Sequence, residues 1–408
     1  MLLAALLARL FRRGDLTLVD ADGRRHQFGG PPLPGVPPVG IRLHDRRLHW
    51  RLPLNPGLAA GEAYADGTLT IERGSLRDLL ALAAANLGRE ARSALPLWRL
   101  ARLWQQYNPI RQAHRNVAHH YDLSEALYER FLDADRQYSC AYFRRPDMTL
   151  EEAQEAKKAH VAAKLLLAPG QRVLDIGAGW GGLALTLARA AEIEVLGITL
   201  SQEQLTVARR RAEAAGLADR VRFELMDYRQ VTGPFDRVVS VGMFEHVGRP
   251  NFRTFFAALH RLLTIDGVAL LHAIGRAHGP GATNPWMRKY IFPGGYSPAL
   301  SEVLPAVEAA DLFVTDIEIL RLHYAETLRE WQRRFQARRG EIAQLLDERF
   351  CRMWEFYLAG AEMAFRAQGH MVFQIQLTRD VHAVPLTRDY LAEAEARLGA
   401  AATVRAAE

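Results

Sequence analysis

The spacing of apolar positions changes along the chain, and the changes divide it. From Leu16 to Gly74 short apolar runs alternate with turn residues: Asp20-Ala21-Asp22-Gly23, a Pro/Gly-rich stretch from Gly29 to Gly40, then Ile41 to Leu54 and Thr68 to Ile71. Such a pattern predicts short strands in a small α+β module. Helical spacing follows from Leu76 through Trp104, is broken at Asn108-Pro109, and resumes at Val117 to Phe131 and Leu150 to Leu167. Beyond Pro169 strand and helix patterns alternate. Strands are predicted at Arg172 to Ile176, Glu194 to Ile198, Val221 to Leu225, Phe235 to Val241 and Val268 to Ile274. Helices are predicted at Gly181 to Ala190, Ser201 to Ala215 and Asn251 to Leu263. This alternation specifies an α/β fold, a parallel sheet with helices on both faces. Ser301 to Ala310 reads as a further helix, Phe313 to Ile319 and Met371 to Leu377 as the last strands, and Glu326 to Gln368 as a long helical insertion. The domains expected are therefore 1–110, 111–390 and a C-terminal tail, 391–408.

Composition is that of a globular protein, 49% hydrophobic and 24% charged over 408 residues, long enough for two cores. Cys140 and Cys351 are far apart and fit neither a disulfide framework nor a paired zinc spacing, which points to a reducing cytoplasm and to no structural metal. The cluster His114, His119, His120 likewise matches no ligand spacing. Met1 to Arg13 carries its charge after the apolar run, the reverse of a signal peptide. Its face of Leu2, Leu3, Leu6, Leu7, Leu10 and Phe11 is too short to span a bilayer and suits either a core, the preferred reading, or a membrane surface. A net charge of +6 favours anionic surfaces. The Arg-rich insertion comes without any nucleic-acid recognition motif, so nucleic acid is not expected as a partner. Its aromatics, Trp331, Phe335, Trp354 and Tyr357 among them, read as a core stripe or, in a lipid enzyme, as the wall of an acyl tunnel.

Candidate chemistry starts at Val173-Leu174-Asp175-Ile176-Gly177-Ala178-Gly179-Trp180-Gly181-Gly182, a buried strand, a glycine turn and a helix start, which lets backbone approach a nucleotide. Asp175 separates the readings. A dinucleotide's pyrophosphate would be repelled by a carboxylate there, whereas S-adenosylmethionine carries a sulfonium and an ammonium that suit it. The second strand ends in Thr199, Ser201 and Gln204 as hydrogen-bonding groups in place of a ribose-binding acid, and Asp227-Tyr228 would lie beside the adenine.

Three stretches, Val238-Val239-Ser240-Val241-Gly242-Met243-Phe244-Glu245-His246-Val247-Gly248, Gln137-Tyr138-Ser139-Cys140-Ala141-Tyr142-Phe143 and Lys289-Tyr290-Ile291-Phe292-Pro293-Gly294-Gly295, occur with His120-Tyr121-Asp122-Leu123, Leu271-His272-Ala273-Ile274-Gly275 and Ala364-Phe365-Arg366. Together they resemble the cyclopropane-fatty-acyl-phospholipid synthase family from about His119 to Arg379. The resemblance implies a Rossmann-like methyltransferase fold with a mostly parallel seven-stranded sheet. It implies methyl transfer from S-adenosylmethionine to the cis double bond of a membrane phospholipid's unsaturated acyl chain, peripheral attachment at the inner membrane surface, and, as in some relatives, a homodimer. It also implies Tyr138 and Ser139 as cofactor contacts, and a bound bicarbonate as base in a pocket of Cys140, Glu245, His272, Ile274 and Tyr324, with Cys140 and Ile274 offering backbone groups. Glu245 and His272 follow adjacent strands at their carboxyl ends, where open α/β sheets bind ligands. Alternative outcomes are a methyl branch or a methylene group, or a soluble metabolite as methyl acceptor. One departure stands out: Ala361 occupies the place of a cysteine that many relatives carry, with Glu362 beside it as a candidate replacement base.

Overall fold

The computed structural model describes residues 2–86 and 125–407, with side chains up to residue 398. The helix expected beyond residue 86, the break at Asn108-Pro109, the three histidines of the 114–120 cluster and the boundary near residue 110 lie outside the described residues. By their contacts the described residues form two units, one of residues 2–86, 282–293 and 328–370, the other of residues 125–281, 294–327 and 371–407.

In the first unit, β1 (Asp15–Val19) and β2 (Arg25–Gly29) form an antiparallel hairpin across the Asp20 to Gly23 turn. β3 (Val39–Leu43) runs parallel to β1, and β4 (Leu69–Arg73) antiparallel to β3. The strand pattern expected over Ile41 to Leu54 stops at Leu43, and Leu48–Leu54 is a helix followed by a second, Pro56–Ala65. Leu48 and Leu52, four apart, turn one helical face into the core, a spacing that short-range alternation conceals. The N-terminal helix Leu2–Leu10 uses its apolar face in the same way: Leu3 and Phe11 are buried, with Leu7 and Leu10 packed against that core.

The 282–293 and 328–370 segments join this unit for visible reasons. A Cβ on Gly61 would fall 2.5 Å from Trp286 Nε1, so only glycine lets the indole in. Trp286 also meets Phe356 edge-on at 4.8 Å, and Tyr64 donates to Glu355 at 2.9 Å. The aromatic stripe of the insertion is buried (Trp331, Phe335, Trp354, Tyr357), and Arg333 and Arg338 are exposed.

The second unit is a seven-stranded α/β sheet ordered β10-β11-β9-β8-β5-β6-β7. Its strands are β5 (Arg172–Ile176), β6 (Glu194–Thr199), β7 (Val221–Leu225), β8 (Phe235–Val241), β9 (Leu263–Arg276), β10 (Phe313–Leu320) and β11 (His370–Thr378). β5 pairs in parallel with β6 and β8, β6 with β7 and β8 with β9, while β10 and β11 are antiparallel. Val173, Val195, Val239 and Leu270 pack on one face with helices Gly182–Ala190 and Gln202–Ala214, and Leu174, Ile176, Val238 and Leu271 on the other with helix Phe252–Leu262. A strand covered on both faces reads as a continuous apolar run, as Arg172 to Ile176 does, and Asp175 is therefore conspicuous. Because β5 lies between β6 and β8, the chain order reverses at its carboxyl end, the point where such sheets open a crevice. Helix Leu150–Leu165 begins with a reciprocal Thr149/Glu152 capping box and ends where Leu166 turns left-handed. Residues expected as a tail form helix Asp389–Ala407, fastened through Glu395 to His160 Nδ1.

Candidate active site

The crevice at β5 is a cavity lined by residues from four strand ends. Tyr138, Ser139, Asp175, Gly177, Gly179, Trp180, Thr199, Gln204, Asp227 and Tyr228, all singled out from sequence, share it. Apolar walls come from Ile198, Leu200, Met226 and Met243. The glycines divide the work. At Gly179, φ is +55° and an added Cβ would meet nothing within 4 Å, so a larger side chain would project into open space in the cavity. At Gly181, φ is +84° and a Cβ would fall 2.7 Å from Phe223. Gly181 thus leaves room for Phe223 where the helix begins.

Thr199 donates to Gln204 Oε1 at 2.8 Å, and Ser201 Oγ accepts from Gln204 N at 3.2 Å. Ser201 is the cap of helix Gln202–Ala214 and is not among the residues lining the cavity. Its hydroxyl satisfies a helix-end N–H. Asp227 is clamped by Arg229 at 2.6 and 2.7 Å, so its carboxylate is already neutralised at the cavity rim. Trp180 is buried against Tyr128, with centroids 4.8 Å apart, and Tyr128 meets Tyr138 edge-on at 5.2 Å.

Asp175 is buried, and burial pushes its carboxyl up to about 7 against the opposing pull of Lys157. Its Oδ2 has no hydrogen-bond partner among the described residues. Lys157, which the sequence reading passed over, is completely buried and donates to Ser139 Oγ at 2.9 Å and to Gln137 Oε1. Desolvation lowers its ammonium to about 8. Gln154, one turn earlier, donates to the carbonyls of Gln137 and Ser139 at 3.2 and 3.0 Å. The signal was present: Gln154, Lys157, His160 and Lys164 are polar positions on the buried stripe of one helix, alongside Ala153 and Val161.

A second cluster adjoins this cavity. Glu245 is buried just past β8, between the lining residues Met243 and His246. Its Oε1 accepts the N–H of Ile274 at 2.6 Å, and its Oε2 has no partner among the described residues. Burial pushes this carboxyl up to about 7, outweighing the Ile274 hydrogen bond. His272, paired with Val241 across β8 and β9, is held neutral by burial, well below its ordinary value. The side-chain amide of Gln374 is hydrogen-bonded to its Nδ1 at 3.1 Å and fixes the orientation of the ring. Cys140 is buried with its thiol pushed up by desolvation, and its S–H points at the Ala141 carbonyl at 3.3 Å. Ala141 N donates to Thr327 Oγ1 at 3.1 Å, and Thr327 lies one turn after Tyr324 on helix His323–Ala337, so Cys140 and the Tyr324 segment meet. None of Cys140, Glu245, His272, Ile274 and Tyr324 lines the cofactor-loop cavity itself. The Ile274 N–H, expected to be offered to an anion, is engaged by Glu245.

Residues 109–375 match the model of the mycolic acid cyclopropane synthetase family. The chain belongs to this family. It is 38% identical over 354 residues to the cyclopropane-fatty-acyl-phospholipid synthase of Escherichia coli K12, covering 86% of this chain and 91% of that one. A probable fatty acid methyltransferase of Pseudomonas putida is 42% identical over 285 residues, 67% of this chain and 72% of the relative. Among solved structures, the mycolic acid cyclopropane synthase CmaA1 with SAH and CTAB superposes with a TM-score of 0.62 at 35% identity, over 66% of this chain and 99% of that one. The chain is an S-adenosylmethionine-dependent methyltransferase with the Rossmann-like fold.

Proposed function

We propose that the protein methylates the cis double bond of an unsaturated phospholipid acyl chain and yields a cyclopropane fatty acid, with bicarbonate as proton acceptor. S-adenosylmethionine supplies an electrophilic methyl group: the alkene π pair forms the new C–C bond as the S–CH3 bond breaks, and loss of a proton from the added methyl closes the ring. The observation that carries the reading is Glu245, a buried carboxyl with one idle oxygen at the end of β8, flanked by two residues of the cofactor cavity.

Asp175, at the mouth of β5, meets the cofactor's cationic end with a carboxyl poised to ionise near neutrality. Lys157 and Gln154 hold the Tyr138-Ser139 turn against the same cavity. The groups proposed to share this pocket are uncharged: the His272 imidazole, the Tyr324 hydroxyl and the Glu245 carboxyl when protonated. A set of buried donors with no competing charge fits a small oxyanion, and Glu245, His272 and Tyr324 would hold it, with the backbone at Cys140. Bicarbonate held by these residues would supply the base for that proton. Likeness to a named phospholipid synthase and the net charge of +6 support a phospholipid substrate met at the inner membrane surface; contact through the N-terminal unit and assembly as a homodimer belong to the same proposal.

The test is mass spectrometry of phospholipid acyl chains after expression in a host that lacks the activity. Unsaturated chains should gain one CH2 unit and lose their double bond. Chains left unchanged, with a soluble amine methylated instead, would refute the proposal.

A further inference from the structure

The short helix Leu48–Leu54 has an outward face that a globular surface does not need. Successive helical residues are about 100° apart, so Leu48 and Leu52 share one side, and Trp50 and Leu54 share nearly the opposite side. Leu48 is fully buried and Leu52 packs on the N-terminal unit's core. Trp50 is 63% exposed and Leu54 79% exposed. Arg47 lies on the flank between these sides with Arg51, which is ion-paired to Glu62, and Arg46, paired to Asp22 at 2.7 Å but with 81% of its side chain exposed, adjoins them. Between residues 45 and 51 there are three arginines against one aspartate. Helix Leu2–Leu10 packs against this helix, and its chain continues into the exposed Arg12 and Arg13.

We infer that this face is a membrane-contact surface for a bilayer containing anionic phospholipid. Trp50 and Leu54 insert at the headgroup boundary, and Arg47 and the exposed Arg46 meet the phosphates. An indole beside an aliphatic side chain suits that boundary, where an apolar body and a polar N–H are both accommodated. Clustered arginine supplies attraction that reaches about 10 Å at moderate salt. The N-terminal helix packs Leu3, Leu7 and Leu10 on the core, leaves Leu2 half exposed and adds the charge of Arg12 and Arg13.

The inference rests on the phospholipid reading above, and its test separates the two. Sucrose-loaded vesicles of phosphatidylglycerol are sedimented with the wild-type chain and with the double variant Trp50→Ser/Leu54→Ser. The variant should bind at least tenfold more weakly, while its turnover of the same lipid dispersed in detergent stays within twofold of wild type. Arg46→Glu/Arg47→Glu should lose binding to phosphatidylglycerol and leave the weaker binding to phosphatidylcholine unchanged. Equal sedimentation of the double variant and wild type overturns the assignment. So does a wild-type dimer that becomes a monomer in the double variant with vesicle binding intact, because the face would then be a contact between copies. Vesicle binding lost in the variant, with no lipid methylated by wild type, would uphold the surface and sink the substrate reading.

Discussion

Two buried acids of the sheet unit behave in the opposite way to the buried acids of the N-terminal unit. In the N-terminal unit each has its oxygens used: Glu62 by Lys289 at 2.7 Å, Tyr290 at 2.8 Å and Arg51, Glu355 by Tyr64, Gln336 and Arg339, and Glu362 by Arg77 at 3.0 Å and Arg366 at 2.6 Å. Burial pushes Glu62 upward, but its hydrogen bonds from Lys289 and Tyr290 and the nearby cations outweigh this and lower it. In the sheet unit Asp175 and Glu245 each keep one idle oxygen, and both are pushed up to about 7. An acid with every oxygen engaged ties segments together; one with an idle oxygen beside a cavity is available for chemistry. Glu362, the candidate replacement base, falls in the first class.

The largest effect should come from the cavity itself. Gly179→Leu should abolish S-adenosylmethionine binding by calorimetry, while the left-handed backbone strain costs about 1–2 kcal/mol and leaves the fold intact. Gly181→Leu, whose side chain would strike Phe223, should instead lower the melting temperature sharply. Equal affinity in Gly179→Leu and wild type would mean that the cofactor does not lie over this turn.

Next in size is Glu245→Gln, which keeps the shape and the bond from Ile274 but cannot ionise or donate as a carboxyl does. Turnover should fall by about 10²–10⁴, the usual scale for a positioned acid or base, with cofactor affinity unchanged. His272→Ala should behave alike. Full activity in either would put both residues with the structural acids. By contrast, Arg77→Leu leaves one Glu362 oxygen without its donor while Arg366 stays in place, and should cost about 1–3 kcal/mol of stability with no change in cofactor affinity. Ala361→Cys should leave turnover where it was, since the neighbouring acid is committed to arginines.

Much of this contrast was legible before any coordinates. The alternation after Pro169 specified the parallel sheet, and Asp175 declared itself as an acid inside an apolar strand. Glu245 and His272 were visible through motif and strand-end position. What stayed hidden was pairing across distant sequence. That Arg77 would meet Glu362, or Trp286 would fill the space at Gly61, depends on segments hundreds of residues apart, which no local period encodes. Lys157 was hidden differently: a lysine in a charged-looking helix is ordinarily solvated, and only its partners Ser139 and Gln137 show that it faces inward. At Ser201 and Gly181 residue type alone does not separate capping or packing from binding, and the structure shows the capping and packing roles.

The smallest expected effect tests Asp175 through its proton. Burial raises its carboxyl from an ordinary value near 4 to about 7, so between these values the folded chain holds a proton that the unfolded chain has released. The contribution to stability is then complete below about pH 4 and lost as pH rises through 7, opposite to a salt-bridged acid. Glu245, shifted the same way, adds to this slope. A cofactor with cationic groups prefers the ionised form, so binding takes over the proton's role. Affinity for S-adenosylmethionine should therefore rise with pH below 7, by at most tenfold per unit for one coupled proton, and level off above it. Calorimetry in buffers of different ionisation heat should register about one proton released at pH 6 and little at pH 8.5. Asp175→Asn should bind more weakly and lose this dependence while keeping the fold. A slope that persists in Asp175→Asn would assign the proton to another group, with Lys157, lowered to about 8, the first to examine.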